Sequence, residues 1–160
     1  MHRMTAILES TQLEESALPH TKLRLRHELR TPIQVLLIED ELEHADWTSA
    51  LLSDEPGGCF LVDAVSSLQD AIKYLSSHHV DVILMDLGMP ELQGYKSHTV
   101  MRLAAPNIPV VILTRDDSKL SRDVVLAAGA KDYLIKGETS VDRLRDALLS
   151  AYQCRKKLRG

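Results

Sequence analysis

Five short runs of apolar residues constrain the fold of this chain more than any other feature. They occupy residues 35–38, 59–65, 80–85, 110–113 and 133–135. The runs are nearly unbroken instead of alternating with polar residues, which is typical of strands that are buried on both faces of a parallel sheet. The sequence therefore predicts five parallel strands.

The segments between these runs have apolar residues at helical spacing. One face is formed by Leu68, Ala71, Ile72 and Leu75, another by Val124, Val125 and Ala128, and a third by Val141, Leu144, Leu148 and Tyr152. Thr139 or Ser140 is expected to cap the third helix. Because parallel strands need right-handed crossovers, we expect an α/β fold with a doubly wound, five-stranded parallel sheet and helices on both faces. Function in such a sheet lies at the carboxyl ends of the strands.

Length and charge exclude several functional classes. The 160 residues suit one domain with a modest extension, and a net charge of -4 gives no general attraction for nucleic acid. The two cysteines, Cys59 and Cys154, have no metal-ligand spacing and fit a reducing compartment. No signal peptide or membrane span is evident. We expect a cytoplasmic protein that binds neither nucleic acid directly nor a membrane.

Chemically distinct side chains follow four of the predicted strands. They are Glu39 and Asp40 after the first, Asp86 after the third, Thr114 after the fourth and Lys136 after the fifth. Three carboxylates in one cleft repel each other unless some are protonated or a cation lies among them. Hard oxygen ligands suit Mg²⁺, or Mn²⁺ in its place. The strand ends therefore predict a divalent metal site.

The same residues suggest phosphoryl chemistry. An aspartate can attack a phosphoryl donor when a metal, a hydroxyl and an ammonium group stabilise the transferred charge. Asp86 is the candidate nucleophile, and Glu39 and Asp40 would hold the metal directly or through water. The backbone carbonyl of Gly88 would complete the metal shell, Lys136 would act as a point charge, and Thr114 would donate a hydrogen bond.

The chain from Ile33 to about Tyr152 resembles a response regulator receiver domain, which has a flavodoxin-like fold. The motifs that carry the resemblance are "LLIEDE", "VILMDLGMPELQG", "VVILT" and "GAKDYLIKG". It implies that Asp86 accepts a phosphoryl group from a histidine kinase or a phosphotransfer protein, without enzymatic turnover on another substrate. It also implies that Thr114 and Tyr133 are switch residues, and that Tyr133 turns inward as the surface changes.

The resemblance gives expected domain bounds and leaves alternatives open. Residues 1–32 are expected to form a partly helical or flexible extension, residues 33–153 the receiver domain, and residues 154–160 a basic tail. Output would pass through an unidentified protein partner or a homodimer. One alternative is a receiver module of a longer regulator with a cyclase or kinase output. The other is a phosphatase with an Asp nucleophile, which needs a second acid where this chain has Gly88.

Three residues near the expected site depart from the family pattern or add to it. Arg115 stands where a small residue is usual. It either partly covers the site or pairs with the phosphoryl group, which would alter donor access and the lifetime of the acyl phosphate, or it points into solvent. Asp116 either positions or repels an attacking water. Gly137 replaces a proline that is usually preceded by a cis peptide bond, so we expect a trans bond or a locally altered loop here.

The segment "HELRTP" around His27 resembles the phosphoaccepting box of sensor kinases. Its context differs, because Pro32 is followed at once by strand residues and the rest of the chain has no room for an ATP-binding domain. Residues 21–30 are expected to form a short helix. We do not assign His27 as a functional site.

Overall fold

Each of the five apolar runs forms a strand of one parallel sheet. The computed structural model describes residues 31–54, 58–92 and 94–159, with side chains described to residue 157. The strands are β1 (Ile33–Ile38), β2 (Phe60–Val65), β3 (Val82–Met85), β4 (Val110–Thr114) and β5 (Asp132–Ile135). The helices are α1 (Leu42–Ser53), α2 (Leu68–Leu75), α3 (Tyr95–Ala104), α4 (Lys119–Ala127) and α5 (Val141–Arg159).

The order of the strands creates a crevice at the carboxyl ends of the strands. The order is β2-β1-β3-β4-β5, and every neighbouring pair is parallel. Helices α1 and α5 contact each other, and α3 contacts both α2 and α4, as expected for right-handed crossovers that place helices on both faces. The predicted doubly wound sheet is confirmed. The chain reverses its direction of winding between β1 and β3, and ligands bind beyond the strand ends at such a point.

The sheet is held mainly by its two central strands. All four residues of β3, Val82–Met85, are fully buried, and Leu36 and Ile38 of β1 are equally inaccessible. Leu68, Met101 and Val125 cover one face of the sheet from three helices. Each fully buried aliphatic side chain contributes about 1.5 to 3 kcal/mol. The edge strand β2 differs, since Leu61 is half exposed.

Serine side chains begin three of the helices. Ser67 Oγ accepts the backbone N–H of Asp70 at 3.0 Å and donates to the Asp70 carboxylate at 2.7 Å, so it caps α2. The Ser118 hydroxyl accepts the backbone N–H of Ser121 and caps α4. Thr139 and Ser140 are the two predicted caps of α5, and Ser140 is the one that caps it, because its Oγ accepts the N–H of Arg143 at 3.2 Å. The Thr139 hydroxyl donates instead to the carbonyl of Ile135. These contacts satisfy N–H groups that have no partner within the helix.

Replacing Ser67 by alanine is expected to lower the free energy of unfolding by about 1 kcal/mol, because α2 loses its cap. Urea titration followed by circular dichroism measures this loss. The matched control is Ser66→Ala, which removes the hydroxyl of an exposed neighbour and is expected to change stability by less than about 0.5 kcal/mol. Equal effects of the two substitutions would contradict the capping role.

The described structure covers the C-terminal segment of the chain to residue 159 and begins at residue 31. The chain divides after Pro32 into two units, and the sheet belongs to the second, Ile33–Gly160. His27 and the helix predicted over residues 21–30 lie outside the described residues, and the domain bounds stay a prediction. Residues 154–159, predicted as a tail, continue α5. Within that turn Arg155 is buried, and its Nη1 donates to the carbonyl of Val80 at 2.5 Å.

Two further findings bear on the protein's environment. Both cysteines are free, Cys59 half-buried and Cys154 exposed. Among the described helices, none has the length and apolar character needed to cross a membrane.

Candidate functional site

The carboxyl ends of four strands bring the predicted site residues into one crevice. Ile38 is paired with Met85 across β1 and β3, so the next residues, Glu39 and Asp86, emerge side by side. Thr114 of β4 is paired with Ile135 of β5, which places Lys136 directly beyond that pair. Asp40 is the exposed member of the set. Parallel register alone is therefore sufficient to assemble the site.

Lys136 connects two of the acidic residues. Its Nζ lies 2.5 Å from Glu39 Oε2 and 2.7 Å from Asp86 Oδ2, and its side chain is 12% exposed. Glu39 is almost completely buried and also accepts the backbone N–H of Glu41 through Oε1 at 3.2 Å. A buried ion pair of this kind needs further hydrogen bonds, because burial removes the water that would otherwise solvate both charges.

The Asp86 carboxylate stays ionised although it is buried. Burial by itself would raise the pKa of Asp86, but hydrogen bonds from Lys136, Gly88 and Thr114 and the charge of Lys136 outweigh it and hold the pKa below its usual value. The Gly88 N–H donates to Asp86 Oδ1 at 2.9 Å. An ionised carboxylate is the form that can act as a nucleophile.

The acidic residues are close enough to share one cation. Carboxylate oxygens of Glu39, Asp40 and Asp86 all lie within 4.8 Å of one another. Lys136 is shared by Glu39 and Asp86, and Asp40 adds a third carboxylate, so a divalent ion would balance the remaining charge. Carboxylate oxygens are the ligands that Mg²⁺ prefers. The donor set therefore fits this ion, while the predicted role of the Gly88 carbonyl stays a prediction.

Tyr133 connects β5 to the loop that follows Thr114. Its ring is buried, and its hydroxyl donates to the backbone carbonyl of Asp116 at 2.7 Å. The inward turn of Tyr133 on phosphorylation stays a prediction. Burial, followed by the negative charge of Asp116, raises the pKa of Tyr133 to about 12. The N–H of Asp116 also points to Thr114 Oγ1 at 3.3 Å. The loop backbone is thus fixed at Asp116 from both strands.

Two of the departures from the family pattern have a clear structural outcome. No peptide bond in the described ranges is cis, so the bond between Lys136 and Gly137 is trans as predicted. Gly137 has a φ of 83°, a conformation that glycine adopts without strain. Asp116 accepts the N–H of Ser118 at 2.8 Å and thereby shapes the turn before α4.

The sequence did not reveal where Arg115 would bind. Arg115 pairs with the Glu41 carboxylate through its two terminal nitrogens, Nη1 at 3.0 Å and Nη2 at 3.2 Å. Its Nη2 also lies 2.7 Å from His44 Nε2. The side chain therefore lies at the edge of the predicted site, paired with Glu41 instead of free in solvent. The third acid in "EDE" was the only signal in the sequence, since the partners are separated by more than 70 residues.

Comparison with known proteins identifies the family of this chain. The model of the response regulator receiver domain matches residues 35–149. Transcriptional regulatory protein ZraR of Salmonella typhimurium is 32% identical over 123 residues, which are 77% of this chain and 27% of that protein. The chain spans between 27% and 45% of the length of three curated relatives that it matches.

Solved structures show the same fold. The crystal structure of a response regulator receiver domain protein from Clostridium thermocellum has a TM-score of 0.70 at 24% identity, covering 79% of this chain and 98% of that one. The beryllofluoride-activated NtrC4 receiver domain dimer has a TM-score of 0.68 at 24% identity, covering 76% and 98%. Because the family model spans most of the chain, the protein belongs to the response regulator receiver domain family of two-component systems.

Proposed function

We propose that Asp86 accepts a phosphoryl group from the phosphohistidine of a histidine kinase or phosphotransfer protein. The observation that carries the proposal is the ionised Asp86 carboxylate, held at 2.7 Å by Lys136 within the acidic cluster. A nucleophile, a fixed positive charge and candidate metal ligands are the parts that phosphoryl transfer to a carboxylate needs.

The transfer step forms one bond and breaks one. An oxygen of Asp86 attacks the phosphorus, the bond from phosphorus to the donor nitrogen breaks, and the electron pair of that bond stays on the imidazole. With acetyl phosphate as donor, the broken bond is to oxygen and acetate leaves. The product in both cases is an acyl phosphate on Asp86. Lys136 and Thr114, which both contact Asp86, would stabilise the negative charge on the transferred oxygens.

Glu39, Asp40 and Asp86 would hold Mg²⁺ or Mn²⁺, with the Gly88 carbonyl as a further ligand. When bound, the ion supplies positive charge against the oxygens of the transferred group. Lys136 remains necessary beside it, because the ammonium group fixes the orientation of Asp86 through a direct hydrogen bond. The protein acts as a phosphoacceptor and not as an enzyme with a separate substrate.

The output in this proposal is a changed protein surface. Phosphorylation would draw Thr114 toward the new group, and the loop at Asp116 would carry the change to Tyr133 through their 2.7 Å hydrogen bond. The responding surface comprises α4, β5 and α5. A downstream protein or a second copy of the chain would bind there, and the dimer of the NtrC4 receiver is a precedent for the second case. The two free cysteines fit a cytoplasmic location.

Incubation with acetyl phosphate and Mg²⁺ is expected to add one phosphoryl group to the protein, as measured by intact-protein mass spectrometry. Asp86→Asn is expected to abolish this addition, because an amide does not attack phosphorus as a carboxylate does. His27→Ala is expected to leave it intact. Chelation of the metal by EDTA is expected to prevent it.

The matched control is Asp123→Asn, which makes the same substitution at an exposed position of α4. It is expected to be phosphorylated like the wild type. A phosphoryl group that persists in Asp86→Asn and disappears in His27→Ala would contradict the proposal and assign the site to His27.

A further inference from the structure

Arg115 forms an ion pair with Glu41 and contacts His44 at the mouth of the phosphorylation site, and these three residues are called the Arg115 clasp. Both nitrogens of the guanidinium fork contact the Glu41 carboxylate, at 3.0 and 3.2 Å, and His44 lies 2.7 Å from one of them. The clasp joins the loop after β4 to the first turn of α1. It therefore spans the opening above the crevice.

Arg115 borders two spaces at once. It lines the pocket that contains Asp40, Asp86 and Thr114. It also lines a neighbouring apolar groove between α1 and α5, together with Trp47 and Leu144. The side chain is thus the wall between the phosphorylation pocket and that groove. A movement of Arg115 alters both spaces together.

The clasp is weak enough to open. The side chains of Arg115 and Glu41 are 59% and 49% exposed, so water screens their attraction. Exposed pairs of this kind shift an equilibrium by less than about tenfold. The loop backbone beside Arg115 is held by two hydrogen bonds at Asp116, and the long Arg115 side chain can rotate with or without a shift of that loop. Opening the clasp therefore requires only rotation of that side chain.

A phosphoryl group on Asp86 would be a stronger partner than Glu41. It carries up to two negative charges and three acceptor oxygens, and a planar guanidinium binds such a group through two parallel hydrogen bonds. It also lies in the less exposed part of the pocket, since Asp86 is 7% exposed, and screening is weaker there. The balance between the two partners favours the phosphoryl group.

We propose that Arg115 leaves Glu41 when Asp86 is phosphorylated, binds the phosphoryl oxygens and slows hydrolysis of the acyl phosphate. The inference rests on the proposed function. In the hydrolysis step a water oxygen bonds to phosphorus, the bond to the Asp86 oxygen breaks, and its electron pair returns to the carboxylate. Inorganic phosphate leaves, and the proton of the water passes to solvent. In this position Arg115 would lie between the phosphoryl group and the solvent at the pocket opening, and would hinder the approach of water.

The test measures the half-life of the acyl phosphate after removal of acetyl phosphate. Arg115→Ala is expected to shorten the half-life by about tenfold, the effect of losing one charged hydrogen bond to the phosphoryl group. Glu41→Gln is expected to lengthen it, because Arg115 then has no competing carboxylate. The double variant is expected to behave like Arg115→Ala. Lys119→Ala, an exposed cation at the start of α4, is the control and is expected to match the wild type.

A second measurement uses the single tryptophan of the chain. Trp47 borders the groove beside Arg115 and His44, so departure of Arg115 is expected to change its fluorescence. Beryllium fluoride with Mg²⁺ serves as the probe in place of the phosphoryl group. The change is expected in the wild type and not in Arg115→Ala.

Several results would overturn the inference. A wild-type half-life in Arg115→Ala excludes the protective role, and a fluorescence change that persists in that variant excludes the movement. Shortening of the half-life by Glu41→Gln would show that the clasp itself protects the phosphoryl group. A wild-type protein that takes no phosphoryl group on Asp86 would overturn the proposed function and this inference together.

Discussion

Replacing Lys136 by methionine is expected to slow phosphorylation of Asp86 by roughly 10²- to 10³-fold, the usual effect of losing one fixed charge from a transfer site. Methionine keeps much of the length of the side chain and removes the ammonium group that lies 2.7 Å from Asp86. The rate of mass addition from acetyl phosphate, measured at several donor concentrations, reports the loss. Lys131→Met, at an exposed position before β5, is the matched control.

The same substitution is expected to destabilise the fold by about 3 kcal/mol in the absence of Mg²⁺, because the buried Glu39 and Asp86 lose their shared counter-charge. Mg²⁺ is expected to raise the melting temperature of Lys136→Met more than that of the wild type, since the ion then replaces the missing charge. Phosphorylation of Lys136→Met at the wild-type rate would contradict the assigned role of Lys136.

The sheet and the acidic crevice could be predicted from the sequence for a definite physical reason. Buried parallel strands give unbroken apolar runs such as the one ending at Met85, and their carboxyl ends must meet at one edge. The positions of Asp86 and Lys136 then follow from their places after a strand. Their contact at 2.7 Å needs no information beyond strand order and register.

The Arg115 clasp could not be predicted in the same way. Arg115 was recognisable as an unusual residue, but its partner depends on how α1 packs beside the loop after β4. Glu41 and His44 precede it by more than 70 residues, and their surface positions follow no periodic pattern that marks them as partners. Contacts between exposed side chains on separate elements depend on tertiary geometry, whereas strand ends depend mainly on chain order.

Two buried polar residues of α3 show that burial in the core is also difficult to predict from the sequence. The segment "YKSHTV" reads as a polar helix surface, yet Ser97 and His98 are both fully buried. Ser97 is satisfied locally, since its hydroxyl donates to the carbonyl of Leu92. Within the described residues, neither ring nitrogen of His98 has a hydrogen-bond partner. The packing of α3 against the sheet overrides the polarity of these residues.

Buried His98 is expected to make the stability of the protein depend on pH. Burial, followed by the positive charge of Arg102 one turn later, lowers the pKa of His98 to about 4 from 6.5. Between these two values the unfolded chain binds a proton at this position that the folded protein does not. His98 therefore imposes no protonation penalty above pH 6.5, and the stability of the folded protein decreases as the pH falls from 6.5 toward 4. The loss amounts to roughly 3 kcal/mol at the lower limit.

His98→Leu is expected to remove this component and to make the protein more stable at pH 5 than the wild type. Leucine fits an apolar position and leaves no buried nitrogen without a partner, which itself costs about 1 to 3 kcal/mol. Urea unfolding at intervals from pH 7.5 to 4.5 gives the difference between the two proteins at each pH. That difference isolates His98, because the carboxylates titrate equally in both. Leu103→Ala, at an exposed position of the same helix and without a titrating side chain, is the control and is expected to leave the pH dependence unchanged. Parallel stability curves for the wild type and His98→Leu would show that His98 keeps its ordinary pKa in the folded protein.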